Sequence, residues 1–242
     1  EFLSTAAHEL KTPISVIKGY VELLRRRIAA RRPLHETQVL EVLERQCHRL
    51  TRLIQDFLDV ARAEYGQLEL RFERCDLAEL VRAVVERMQA TTSSHRFELH
   101  IAATARIEVD RDRIEQVLEN LLSNAIKYSP GGGTVWVTAA VQAGEAMISV
   151  RDEGIGIPAD RQARLFERFY RAHAGTAHDY GGMGIGLHLS REIVVRHGGR
   201  MWFASIEGEG STFSFSVPVC SRQAMPGDSD DSGAEARPAG RG

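Results

Sequence analysis

Along the first quarter of the chain the apolar residues recur every three or four positions. Leu3, Leu10, Ile14, Ile17, Val21, Leu24 and Ile28 form such a row, a coiled-coil-like seam on a long amphipathic helix that ends near Ala29. Pro33 breaks the chain. Val39, Val42, Leu43, Leu50, Leu53, Phe57 and Val60 then repeat the spacing from about Glu36 to Ala63. Two such helices predict an antiparallel hairpin. Alone, the hairpin leaves one side of its seam uncovered, and pairing two hairpins into a four-helix bundle would bury it, so the spacing predicts a homodimer.

After Ala63 the pattern changes. Tyr65 to Cys75, with Leu68, Leu70 and Phe72 alternating, reads as a linker holding a short strand, and Asp76 as the cap of a helix through Leu77, Leu80, Val81, Val84, Val85 and Met88. Strands are predicted at Arg96 to Ala102 and Arg106 to Val109, followed by a helix from Asp110 through Leu122. Val135, Val137, Ala139 and Val141 alternate along a half-buried strand, which Ala143-Gly144-Glu145 turns into Ala146 to Arg151. After an irregular stretch come a helix from about Leu187 to His197 and strands at Arg200 to Ile206 and Ser211 to Pro218. This order predicts an α/β sandwich: a mostly antiparallel or mixed sheet with helices on one face. Residues 221–242, rich in Gly, Ser, Asp, Ala and Pro, are expected to form a disordered tail.

Composition narrows the partners. A net charge of -2 with 26% charged residues gives no reason to expect nucleic acid. Cys47, Cys75 and Cys220 lie far apart, which suggests neither a disulfide framework nor a zinc site and fits a reducing, cytoplasmic setting. No apolar run approaches the roughly 20 residues of a membrane helix. The first residues already lie inside the repeat, so the helix is expected to begin upstream of Glu1, and any membrane attachment would come only through such a missing segment.

Five stretches could carry chemistry. In Ala7-His8-Glu9-Leu10-Lys11-Thr12-Pro13, taking Leu10 as heptad position a puts His8 at f, facing water. Pro13 leaves the Glu9 carbonyl without its helical donor, and a bend is expected just past His8. An exposed imidazole beside an orienting carboxylate suits a nucleophile, and a plain surface histidine fits equally well. Asn120 and Asn124 share a helix face, with Lys127 and Tyr128 one turn on. Their amide oxygens could hold a hydrated magnesium ion and the lysine could meet phosphate, while a solvated asparagine pair is the plainer reading. Asp152, at a strand end before Gly154 and Gly156, could accept a hydrogen bond from an adenine amino group, or the stretch could be a simple turn.

Gly181 to Gly186 opens directly into a helix starting at Leu187, and its exposed amides could cradle phosphate. It is not a dinucleotide fingerprint, whose third glycine would fall at Leu187, and it has no Gly-Lys-Ser/Thr. Finally, Phe166 to Arg171 precedes a Gly-rich stretch, His173 to Gly182. It reads as a flap that could swing an arginine onto phosphate, or as a loop tethered by Phe166 and Phe169.

In order and spacing, His8-Glu9-x-x-Thr12-Pro13, Asn120-x-x-x-Asn124-x-x-Lys127-Tyr128, Asp152-x-Gly154-x-Gly156, Phe166-x-x-Phe169 and Gly182-x-Gly184-x-Gly186-Leu187 resemble the H, N, G1, F and G2 boxes of bacterial two-component sensor histidine kinases, over about Glu1 to Pro218. The resemblance implies a dimerisation and phosphotransfer domain at residues 1–65, a linker at 66–75, a Bergerat-fold (GHKL) ATP-binding domain at 76–219 and a tail at 220–242. It implies that His8 accepts phosphate with Glu9 as its acid/base neighbour, and that Thr12 serves dephosphorylation of the partner. Asn120 and Asn124 would hold Mg2+, Lys127 and Tyr128 approach the ATP phosphates, and Asp152 read adenine. Gly154, Gly156, Gly182, Gly184, Gly186 and Leu187 would shape the pocket and lid. Arg171 is implied as the phosphate arginine, ahead of Arg168.

The implied partner is the receiver domain of a response regulator, selected by exposed residues within 15–25 and 39–49. The implied location is the cytoplasmic part of a membrane-anchored sensor. Ala7 stands where serine is frequent, and Met183 where threonine or serine is, neither a ligand-bearing position. The alternatives are another ATPase of the same superfamily or a scaffold that binds ATP without autophosphorylating. His35, His48, His95, His100, His173, His178, His188 and His197 lack a comparable constellation and read as structural or solvated.

Overall fold

The computed structural model describes residues 2–29 and 36–220, without the side chains of residues 2–6, 8, 29, 36–38, 49 and 64. The tail expected at 221–242 and the turn at Pro33 lie outside the described residues, as does the His8 side chain. Helices α1 (Phe2–Ala29) and α2 (Glu36–Glu64) pack against each other, and α1 runs unbroken through Pro13. The hairpin leaves much of its seam bare: Ile14, Val21, Ile28 and Phe57 are each at least 40% exposed. Glu9 and Pro13, one turn apart on the helix that carries His8, are buried.

Two short strands, β1 (Glu73–Asp76) and β3 (Arg106–Val109), pair antiparallel. The expected linker strand therefore starts later than Leu68, because Leu68 instead plugs the hydrophobic core. Between them come α3 (Leu77–Gln89) and β2 (His95–Ile101), and after them α4 (Arg111–Tyr128). The Asp76 carboxylate accepts the amides of Ala78 and Glu79, and Asp110 accepts that of Arg113, so both helices start where an aspartate replaces the missing turn. Asp110 also accepts the Arg71 amide at 2.9 Å. Its own amide donates to Nε2 of the buried His197, whose Nδ1–H donates to the Ile193 carbonyl.

Strands β4 (Gly133–Gln142) and β5 (Glu145–Asp152) form a hairpin, its turn made by Ala143 and Gly144, both at positive φ. The short α5 (Ala159–Gln162) follows, too brief to leave a periodic signature, and then α6 (Gly186–Arg196), β6 (Arg200–Ile206) and β7 (Gly210–Pro218). The five-stranded sheet has the order β2-β4-β5-β7-β6, with β2–β4 parallel and the other pairs antiparallel. Alternate residues of its central strands, among them Val135, Val137, Ile148, Val150, Phe213 and Phe215, are buried under one helical layer of α3, α4 and α6. Val60 of α2 belongs to the same apolar core, which thus extends into the hairpin.

Candidate functional site

A cavity of about 220 Å³ opens between α4, the end of β5, the Gly-rich loop and α2. Helix α4 buries Leu118, Leu121, Leu122 and Ala125 against the sheet, and this turns Asn120, Asn124, Lys127 and Tyr128 into the cavity wall. Asn120 Nδ2 donates to Ser190 Oγ of α6 at 2.9 Å, and its Oδ1 lies where a Cβ on Gly186 would stand. Helix α6 can therefore start this close to α4 only with glycine there. Lys127 Nζ donates to the Gly181 carbonyl at 2.6 Å and lies 5.1 Å from the Tyr128 ring.

Asp152 ends β5, 5% exposed, with one oxygen accepting the Gly154 amide at 2.9 Å. Burial pushes its carboxyl above the usual range, opposed by the Gly154 and Ser211 amides. Such a carboxylate, fixed and partly desolvated, is suited to accept a hydrogen bond from an exocyclic amine. Gly154 and Gly156 serve mainly the protein's own closure. A Cβ on Gly154 would strike the Tyr128 carbonyl and one on Gly156 the Ile206 carbonyl.

The two segments of the flap are locked together. Gly184, at φ +67, accepts the Phe169 amide at 2.9 Å, and a Cβ on it would meet the Tyr170 carbonyl at 2.7 Å. Arg171 reaches the cavity and is ion-paired with Asp179, whereas Arg168 is exposed and lies 5.5 Å from the Phe169 ring. Leu187 lines the cavity at the first turn of α6.

Among the predicted phosphotransfer residues whose side chains are described, Glu9 reaches this region. Its Oε1 accepts the Gly182 amide at 3.1 Å, although it lies 173 residues away in sequence. Thr12, one turn on, is exposed.

Several lining residues escaped sequence reasoning. Leu53 and Asp56 come from α2, and Ile157, Leu165, Ser211 and Phe213 from the sheet side. Heptad spacing reported only Leu53's place in a helix, and nothing marked Asp56. His173 is part of the wall, with Nε2 donating to the Gly156 carbonyl at 3.1 Å and its ring 5.5 Å from that of Tyr128. Burial pushes its pKa below the usual imidazole value, opposed by the hydrogen bond to Gly156.

Behind α4, Arg113 holds the fully buried carboxylate of Asp59 through Nη1 at 2.5 Å and Nη2 at 3.1 Å, and Gln55 donates to the same carboxylate at 3.0 Å. Arg196 of α6 donates to the Ala63 carbonyl at 2.9 Å and the Leu68 carbonyl at 3.4 Å.

Among the described residues no group of three or more His, Cys, Asp or Glu could hold a metal ion. The neutral oxygens offered by Asn120 and Asn124 fit a cation that keeps most of its water and takes further oxygens from phosphate, which is the habit of Mg2+.

Most of the chain can be matched to known proteins. Residues 1–66 match the family described as His Kinase A (phospho-acceptor) domain, and residues 109–221 match Histidine kinase-, DNA gyrase B-, and HSP90-like ATPase. Sensor histidine kinase WalK of Bacillus subtilis (strain 168) is 34% identical over 227 residues, 92% of this chain and 37% of WalK. The chain thus spans little more than a third of that relative. The fold superposes on the Acinetobacter baumannii histidine kinase AdeS with a TM-score of 0.65 and 26% identity, covering 87% of this chain and 97% of that one. It also matches histidine kinase ThkA in complex with response regulator protein TrrA (TM-score 0.62, 26% identity, 89% and 60% covered). The catalytic domain of ThkA alone is 30% identical, with a TM-score of 0.54, 61% of this chain and 95% of that one being covered. With both family regions in order around one cavity, the chain belongs to the two-component sensor histidine kinases and carries their catalytic core.

Proposed function

We propose that the protein is a protein-histidine kinase that transfers the γ-phosphoryl group of ATP to His8 and then to an aspartate of a response regulator. The observation that carries this reading is the Glu9 to Gly182 contact, which puts the residue beside His8 at the rim of a cavity equipped for a nucleotide. In this reading Asp152 receives the adenine amino group. The amides of residues 181–186, the positive end of α6, Lys127 and Arg171 take up the charge of the triphosphate. Asp179 must release Arg171 as phosphate arrives. Mg2+, held through Asn120 and Asn124, would neutralise phosphate charge and fix its orientation. Glu9 takes the proton from the His8 nitrogen that does not attack.

The bare seam of α1 and α2 fits a homodimer through a four-helix bundle, with the division into a phosphotransfer domain (1–65) and an ATP-binding domain (76–219). ThkA, solved in complex with a response regulator, supports a receiver-domain partner that reads exposed residues of α1 and α2 near His8. In this reading Thr12, exposed one turn beyond His8, orients a water for dephosphorylation of that partner. The setting proposed is the cytoplasmic side of a membrane-anchored sensor; within the described residues no helix is long and apolar enough to cross a membrane.

The test is incubation with γ-labelled ATP and magnesium. The expected label is acid-labile and base-stable, and absent from His8→Ala, while ATP affinity is unchanged. Labelling of His8→Ala at the wild-type level would overturn the assignment.

A further inference from the structure

We infer that each chain phosphorylates its own His8, in cis. The inference rests on the kinase reading above and adds which chain supplies the acceptor. The geometry behind it is that the cavity is completed by the hairpin of the same chain. Helix α2 supplies Leu53 and Asp56 to the wall. Helix α1 supplies Glu9, 7% exposed, whose Oε1 takes the Gly182 amide hydrogen at 3.1 Å and would stand 3.6 Å from a Cβ on Gly181. A Cβ on Gly182 would in turn lie 3.3 Å from Lys127 Nζ, so Glu9, the loop backbone and the phosphate-seeking lysine meet at one place on the rim.

Three unlike contacts hold this arrangement. The buried Asp59 carboxylate is gripped by both terminal nitrogens of Arg113, Arg196 ties down the end of α2, and Val60 and Leu68 are embedded in the core beneath the sheet. The eight residues 65–72 between α2 and β1 form a tether of at most about 28 Å at roughly 3.5 Å per residue. Delivery to the histidine of a second copy would require giving up a desolvated ion pair and an apolar seam together, and leaving either half of the pair buried is costly.

The step itself balances within one chain. The lone pair of one His8 ring nitrogen forms the N–P bond as the bond from the γ-phosphorus to the bridging oxygen breaks. The electron pair leaves on ADP, and the proton of the other ring nitrogen passes to Glu9.

The experiment uses heterodimers carrying two different affinity tags. One subunit is wild type. The other, larger by its tag, is Asn124→Ala, which keeps His8 but lacks a nucleotide ligand; Asp152→Asn serves as a second variant of the same kind. Purified through both tags, incubated with γ-labelled ATP and magnesium and separated by size, the heterodimer is expected to carry its label on the wild-type subunit, with at least tenfold less on the variant. If the chains do not associate, the same label on wild-type monomer, at a rate per chain independent of concentration, supports the inference equally. Label on the variant subunit with the wild-type subunit bare overturns it and leaves the kinase reading intact. Wild-type protein that takes no label under any condition overturns the kinase reading, and this inference with it.

Discussion

Replacing Arg113 with methionine removes the guanidinium from a carboxylate that has no access to water, Asp59 being 0% exposed and the Arg113 side chain 19%. Stripping one partner from a buried ion pair costs about 3–5 kcal/mol, mostly because the survivor stays charged and desolvated. Here Gln55 still donates to Asp59 at 3.0 Å and Arg62 stands 3.9 Å away, so the expected loss is nearer to about 2–3 kcal/mol. The loss falls on the packing of α2 against α4. In thermal unfolding it should appear as a drop of roughly 5–10 °C for a protein of this size. Amide exchange should rise most in residues 53–64 and the first turn of α4. Pairing the change with Asp59→Asn tests the cause, since the double variant no longer buries a lone charge and should recover at least about 1 kcal/mol relative to additivity. Strictly additive losses, or exchange spread evenly over the sheet, would refute the idea that this pair fastens the hairpin to the ATP-binding fold.

Burial lifts the Asp56 carboxyl from 3.8 to about 6, with Asp59 adding to the rise and Arg52, Gln116 and Arg113 opposing it. A raised folded-state value means that the packed arrangement binds the proton more tightly, so its contribution is full below pH 3.8 and lost as pH rises through about 6. Between pH 5 and 7.5 that amounts to about 1 kcal/mol. Asp56→Asn should lack this component in urea unfolding at the two pH values, and identical pH dependence in both proteins would rule it out. Val21→Asp places a charge on a seam residue that is 44% exposed in the single chain and should convert dimer to monomer in light scattering; an unchanged dimer counts against the four-helix bundle. Thr12→Ala should keep autophosphorylation and transfer but lose most dephosphorylation of the cognate regulator, and equal dephosphorylation rates would remove this hydroxyl from that role.

Much of the architecture could be read from spacing alone, because burial imposes a period. Val135, Val137 and Ala139 alternate since one face of β4 meets helices, and Asp76 and Asp110 announced α3 and α4 because a helix start needs an acceptor. The residues of the cavity that periodicity could reach, Asn120, Asn124, Lys127 and Tyr128, lie on one helix and were legible together. Asp56 and Leu53 were not, since their place in the wall depends on how α2 lies against α4, a relation fixed by Asp59 and Arg113, 54 residues apart. For the same reason the Glu9 contact with Gly182 could not be read: heptad position describes a helix facing its bundle partner and says nothing about other segments covering the opposite side. The strand sought near Leu70 failed on competition, because the core draws Leu68 inward and leaves pairing with β3 to Glu73–Asp76.

The grip of Arg196 on the Ala63 carbonyl makes the length of α2 conditional. The last carbonyls of a helix have no partner within it, and here one of them is served by the other domain. When the two bodies part, that carbonyl keeps only the Gly66 amide at 3.2 Å and the final turn of α2 loses an external brace. Each residue that leaves the helix lengthens the chain by about 2 Å, the difference between helical and extended rise. Four such residues would add roughly 8 Å to the tether. The connection between the bodies then behaves as a spring with a reserve of slack, short and stiff while they are engaged, and paying out further reach once they separate.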